Sequence, residues 1–291
     1  MGGDSGAAGV TLLATRRSEK AYLHAGGVRL RYTAEGDGPS VLLLHGFAVS
    51  SDLNWRLSGI VRSLRRRYPV ITPDLRGHGR SDRPRGAEAY GLKLLDDVLV
   101  LLDHLRLDQV ALVGHSLGGF VALKLATTHP ERLTGVCLMG AGYEPSDNSD
   151  FLEALPRLAA DLRAGKGIRP LSAYMGAGHF EPGTVHTWLV KLLTRYLVDS
   201  EAIADLVLSL PELAVAEAEL RRIAIPVRAM VGSRDPFRHS AERLVGRVPD
   251  CGVVVVPGAD HLSLLRRRTA RVALEEFLEA CAQRSGNEPS A

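Results

Sequence analysis

Six short, unbroken apolar runs punctuate this chain: "VLLLHGF" (41–47), "PVITPDL" (69–75), "VALVG" (110–114), "GVCLMG" (135–140), "VRAMVG" (227–232) and "GVVVVPG" (252–258). Each stops at glycine or aspartate after four to six residues. Runs of this length and character are strands covered on both faces. A seventh, "VRLRYTAEG" (28–36), alternates with period two. Helical patterns lie between the runs. Leu92, Leu95, Leu99, Leu102 and either Leu105 or Leu107 share one face, "SLGGFVALKLATTHP" (116–130) closes at Pro130, and Arg271 to Cys281 gives a last helix. Strands alternating with helices predict an α/β fold: a doubly wound, mostly parallel sheet with right-handed crossovers.

One connection breaks the rhythm. About 85 residues separate "GVCLMG" from "VRAMVG", with helix-like segments near 150–163, 183–198 and 200–210 and no core strand. Residues 144–212 are therefore expected to be a helical insertion. The α/β core is then 19–143 and 213–283, with small, polar arms at 1–18 and 284–291. Ligands bind beyond the carboxyl ends of strands in such sheets, and an insertion leaving one of those ends is placed to roof the site.

Charge and cysteine usage exclude several classes. The net charge of +3 is carried by scattered arginines, and the two short runs, Arg65–Arg67 and Arg266–Arg268, read as solvated helix ends. No nucleic-acid partner is expected. Cys137, Cys251 and Cys281 form no CxxC or Cys/His cluster, which disfavours a disulfide framework or a zinc site and fits reduced thiols. The first twenty residues place their basic residues after a weak apolar stretch, the wrong order for a secretory signal, and no run of 18 apolar residues occurs. The expectation is a cytoplasmic protein with no membrane span, acting on a small molecule, with a homo-oligomer left open.

"VALVGHSLGGF" (110–120) carries the chemistry. "VALVG" is a strand and "LGGFVALKLA" a helix that opens with two glycines, and Ser116 sits at their junction. A sharp reversal at Ser116 would strain its backbone and push its hydroxyl out of the sheet, while Gly114 and Gly118 clear space that a β-carbon would fill. This is the Gly-x-Ser-x-Gly nucleophile elbow. A serine hydroxyl needs a base, and the base an orienting carboxylate. His261, in "GADHLSLL" after the last strand, is the expected base; His239 is its rival. Asp235, just past a strand end and before Pro236, is the expected acid. Asp260, Glu144 and Asp147 are rivals, and Asp74 and Asp82 fit less well. The backbone N–H groups of Leu117, at the helix start, and Phe47, after the turn at Gly46, are the expected oxyanion donors. His45 and His115 are read as support. The loop "PDLRGHGRSDRP" (73–84) lacks a phosphate-loop ending and reads as structural, with internal ion pairs. Trp55 and Trp188 could line a pocket but fit the core better.

Together "HGF" (45–47), "DLRGHGRSD" (74–82), "GHSLGG" (114–119), "GSRDP" (232–236) and "GADH" (258–261) resemble the landmarks of the α/β-hydrolase fold family, in its order and near its spacing. The resemblance covers about residues 20–282. It implies an eight-stranded sheet with its second strand antiparallel and a helical cap or lid after strand six. It also implies Ser116 as nucleophile, Asp235 as acid, His261 as base, and Phe47 and Leu117 as oxyanion amides. Haloalkane dehalogenases and epoxide hydrolases of that family carry aspartate at the elbow; serine here argues for acyl transfer to water. The expected activity is hydrolysis of an ester-like acyl bond without cofactor or metal. Tyr174, Met175, Phe180 and Trp188 in the insertion suggest an apolar or aromatic substrate part. The alternatives are carbon–carbon bond hydrolysis, cofactor-free perhydrolysis, thioester hydrolysis beside a biosynthetic assembly line, and a non-catalytic ligand-binding protein on the same fold.

Overall fold

The computed structural model describes residues 19–144, 150–166 and 199–286. Eight strands form one sheet in the order β1-β2-β4-β3-β5-β6-β7-β8. They are β1 (Glu19–Ala25), β2 (Val28–Glu35), β3 (Val41–Leu44), β4 (Val70–Pro73), β5 (Val110–His115), β6 (Leu133–Met139), β7 (Val227–Gly232) and β8 (Cys251–Val256). β2 runs antiparallel to both β1 and β4, and every pairing from β4 to β8 is parallel.

The pleat explains the apolar runs. Leu42, Leu44, Leu112 and Leu138 point to one face, where α2 (Lys93–His104) and α3 (Leu117–Thr128) pack. Val41, Leu43, Val113, Cys137 and Met139 point to the other, covered by α1 (Ile60–Leu64) and α8 (Arg268–Gly286). With both faces buried, no position in these strands can be polar without a partner.

One strand has no apolar run of its own, and one expectation is corrected. β1, "EKAYLHA", has no run of its own in the apolar pattern. It is an edge strand paired on one side only, and its Tyr22 is 46% exposed beside buried Leu23. The buried stripe of α2 is Leu94, Leu95, Val98, Leu101 and Leu102, whereas Leu92 precedes the helix and is 45% exposed. The helix faces both α3 and β1, so its stripe is broader than a single row of leucines.

Within the long connection, α4 (Asp150–Arg163) and α5 (Ser200–Ser209) pack on each other through Leu155, Leu158, Leu162, Ile203 and Val207. The pair is tied to the loop 85–92. Arg85 makes a bidentate ion pair with Asp199 (2.7 and 2.8 Å). The N–H groups of Gly86, Gly91 and Leu92 donate to Asp205, Ser209 and Glu212. The expected helix at 183–198, with Trp188, Tyr174, Met175 and Phe180, lies outside the described residues. The chain returns through α6 (Glu217–Leu220), and α7 (Arg238–Glu242) follows β7. Among the described residues no helix is long and apolar enough to cross a membrane. The three cysteines are free, and two of them, Cys137 and Cys281, are buried.

Candidate active site

Ser116 joins β5 to α3 with φ 52° and ψ −115°. An L-residue is held in this region only where its surroundings over-determine it, at a cost of about 1–3 kcal/mol. The surroundings are backbone. A β-carbon on Gly114 would lie 2.1 Å from the Gly118 oxygen, and one on Gly118 would lie 2.2 Å from the Leu44 oxygen. The Ser116 N–H donates to Met139 O (2.9 Å), which pins the elbow to the end of β6. Gly114 and Gly118 thus bring α3 against the ends of β3 and β5, with Ser116 at the apex.

His261 sits in the loop after β8, buried, and Asp235 in the loop after β7, with its carboxylate fully buried. His261 Nδ1 lies 3.1 Å from both Asp235 Oδ1 and Oδ2. A carboxylate only accepts, so the ring proton is on Nδ1 and Nε2 keeps its lone pair. Asp235 Oδ1 also accepts the Phe237 N–H (3.0 Å), which fixes the carboxylate. The rings of His115 and Phe237 flank the His261 ring at centroid distances of 5.0 and 5.5 Å. Gly140, at the end of β6 with φ +59°, makes room beneath: a β-carbon there would lie 2.9 Å from His261 Nδ1. Ser116 stands beside His115, but its hydroxyl makes no hydrogen bond to His261. Such contacts are often open in an unliganded site and close with substrate.

Phe47 and Leu117 present backbone N–H groups with no acceptor among the described residues. The turn holding Phe47 differs from the expected one. Gly46 is not in the left-handed region; Ala48 is, with φ 56°. The need for glycine at 46 is space, since a β-carbon there would lie 2.9 Å from His115 Nδ1 and 3.4 Å from Ser116 Cβ. His45 holds this turn from below. Its Nε2 accepts the Leu75 N–H (2.9 Å), so its Nδ1–H donates to Gly46 O (2.8 Å). Burial lowers its pKa, consistent with a neutral ring.

The rival groups lie elsewhere. Glu144 bonds to Ser240 and Arg243. Asp260 accepts the N–H groups of Leu262 and Ser263 and caps its own turn. His239 is on an exposed helix face beside Glu242. Asp74 binds Ser51, Arg80 and Arg31, and Asp82 binds Arg29. Asp147 lies outside the described residues. The ion pairs of the 73–84 loop mostly reach outward, from Asp74 to Arg31 and from Arg76 to Asp97, rather than staying within it. Trp55 is fully buried, edge-on to the His115 ring. The sequence did not reveal Asn54, whose Oδ1 lies 2.9 Å from His115 Nδ1 and 3.3 Å from Gly46 N. No motif marks it.

Residues 39–167 match the family model described as the α/β hydrolase fold. The chain has the α/β-hydrolase fold. A thermophilic esterase from Thermogutta terrifontis superposes with a TM-score of 0.75 at 25% identity, covering 91% of this chain and 99% of the esterase. The 2-hydroxymuconate semialdehyde hydrolase of a Pseudomonas strain is 38% identical over 45% of this chain and 46% of that enzyme. The 3-oxoadipate enol-lactonase 2 of Acinetobacter baylyi is 29% identical over 77% of this chain and 82% of that enzyme. The match spans only 34% of the first curated relatives, uncharacterized mycobacterial proteins. Named proteins similar to this chain thus include an esterase, an enol-lactonase and a semialdehyde hydrolase.

Proposed function

We propose that this α/β hydrolase cleaves a carboxylic ester of a small, apolar substrate through an acyl-enzyme, with Ser116 as nucleophile, His261 as base and Asp235 as orienting acid. The observation that carries the reading is the His261 Nδ1 contact of 3.1 Å to both oxygens of a buried Asp235, which leaves Nε2 free to take a proton. Ser116 Oγ attacks the carbonyl as its proton passes to His261 Nε2. Negative charge develops on the carbonyl oxygen, and the Phe47 and Leu117 N–H groups, with the positive end of α3, stabilise it. The tetrahedral centre collapses, His261 protonates the departing alcohol, and a water then repeats the sequence to release the acid and restore Ser116.

In this reading the described parts of the insertion, 150–166 and 199–212, belong to a lid, latched to the core through Arg85–Asp199 and the bonds from loop 85–92. The walls near the site favour apolar groups. Phe237 lies against His261 and Phe120 against Phe237 (5.6 Å). Ser116→Ala should abolish turnover of a p-nitrophenyl acyl ester and labelling by a fluorophosphonate. Undiminished activity in that variant refutes the mechanism.

Carbon–carbon bond or lactone hydrolysis by the same triad is a second reading, favoured by the semialdehyde hydrolase and enol-lactonase relatives. Competition between a vinylogous diketone, an enol-lactone and a simple ester on the purified protein separates the two.

A further inference from the structure

We infer that His115, the residue before Ser116, is a positioning residue: its ring, oriented by Asn54, holds the main chain of His261. The inference rests on the proposed roles of Ser116 and His261.

His115 is buried and ends β5. Its Nε2 lies 3.2 Å from the backbone oxygen of His261, and its Nδ1 lies 2.9 Å from the Asn54 amide. Asn54 in turn meets the N–H of Gly46 at 3.3 Å, one residue before Phe47. The ring therefore stands behind the serine, between Asn54 and the loop of the base.

The chemistry of the ring fixes the direction of its bonds. Burial lowers the His115 pKa to about 3, so the ring is neutral and has one N–H to give. The His261 carbonyl can only accept, which places that proton on Nε2. Nδ1 then needs a donor. Asn54 Nδ2 is buried with no partner, and a half-turn of the amide brings it to Nδ1. The turned amide no longer accepts the Gly46 N–H, so Asn54 acts by orienting the His115 ring. A backbone carbonyl held by a buried donor keeps the His261 loop from drifting. This matters because a base misplaced by about 1 Å can lose on the order of 100-fold in rate.

The test uses the full chain and a p-nitrophenyl acyl ester. His115→Phe keeps the ring volume and removes both nitrogens. Its kcat should fall about 10- to 100-fold with KM and melting temperature unchanged. His115→Gln, whose amide can donate and accept, should recover most of that loss. Asn54→Ala should also lower kcat, and the double variant should be no worse than the worse single one, because both act through the orientation of the one His115 ring. Parental kcat in His115→Phe overturns the inference, as do equal losses in the Phe and Gln variants or additive losses in the double variant. If His115→Phe does not fold, His115→Asn takes its place: too short to reach the His261 oxygen, it should turn over at least tenfold more slowly than His115→Gln, and equality overturns the inference. Ser116→Ala, run alongside, separates the two levels. If it stays active, the catalytic reading and this inference both fall; if it is dead, the other outcomes bear on His115 alone.

Discussion

Gly118→Ala isolates the steric logic of the elbow. The added methyl would lie 2.2 Å from the Leu44 oxygen and 2.8 Å from its Cβ. Ordinary contacts to a methyl start above 3 Å, so α3 and β3 must separate by about 1 Å. Both are packed backbone and neither can rotate away. Overpacking of this kind costs about 1–3 kcal/mol, which for a domain of this size is roughly 2–12 °C in melting temperature. The same shift separates the two amides proposed to share the oxyanion, because Leu117 moves with α3 while Phe47 follows β3. A displacement of 1 Å predicts a loss of about 100-fold in kcat, well beyond what the stability loss explains below the melting temperature. Thermal unfolding followed by circular dichroism, with ester hydrolysis at 25 °C, measures both. A Gly118→Ala protein with parental melting temperature and parental kcat would show that the helix–strand contact is not what sets the elbow.

Three further outcomes are expected. Asp235→Asn should lower kcat by about 10⁴-fold while the protein stays folded, because the amide no longer enforces the Nδ1–H tautomer, and Glu144→Gln should leave kcat near normal; steady-state kinetics on both variants decide the acid. Asp97→Asn leaves the Arg76 guanidinium, which pairs with Asp97 at 2.5 and 2.7 Å in a buried site, without its counter-charge, and should cost about 3–5 kcal/mol in urea unfolding. Burial holds His78 and His115 to pKa values of about 3, below the usual 6.5. Only the unfolded chain then gains those protons as pH falls, so the stability they carry is full above about 6.5 and is lost between 6.5 and 3, at about 1.4 kcal/mol per pH unit for each; urea midpoints at pH 7 and pH 5 should show the fall, and a pH-independent midpoint contradicts it.

What the sequence disclosed followed from how many constraints acted on each residue. The strands from β3 to β7 were legible because two packed faces forbid polar positions, and Leu42 and Leu43 satisfy opposite faces of one strand. Ser116 was legible because Gly114 and Gly118 each face backbone at just over 2 Å, leaving no other residue type room. β1 was not, because an edge strand with one solvated side needs few apolar residues. Ala48 was not, because its left-handed backbone is imposed by the turn around it and not by its own side chain. Asn54 was invisible for a related reason: a lone polar residue in a short helix gains its meaning only from His115, 61 positions away, which local pattern cannot see.

The distance between strands sets a requirement that the loop after β8 has to meet. β5 and β8 are separated by β6 and β7, three steps of about 4.8 Å, or roughly 14 Å. A histidine standing directly on the end of β8 could not reach a serine on the end of β5. The loop therefore leans back over β7, where Asp235 receives the ring from one side, and over β6, where Gly140 offers no side chain to obstruct it. His115 meets the same loop from β5 at the backbone oxygen of His261. Each strand the loop crosses thus contributes one feature: a carboxylate from β7, a missing β-carbon from β6, and a hydrogen bond from β5. Residues distant in sequence converge because four adjacent parallel strands end on one side of the sheet, and the chain between them is long enough to bend back and too crowded to settle elsewhere.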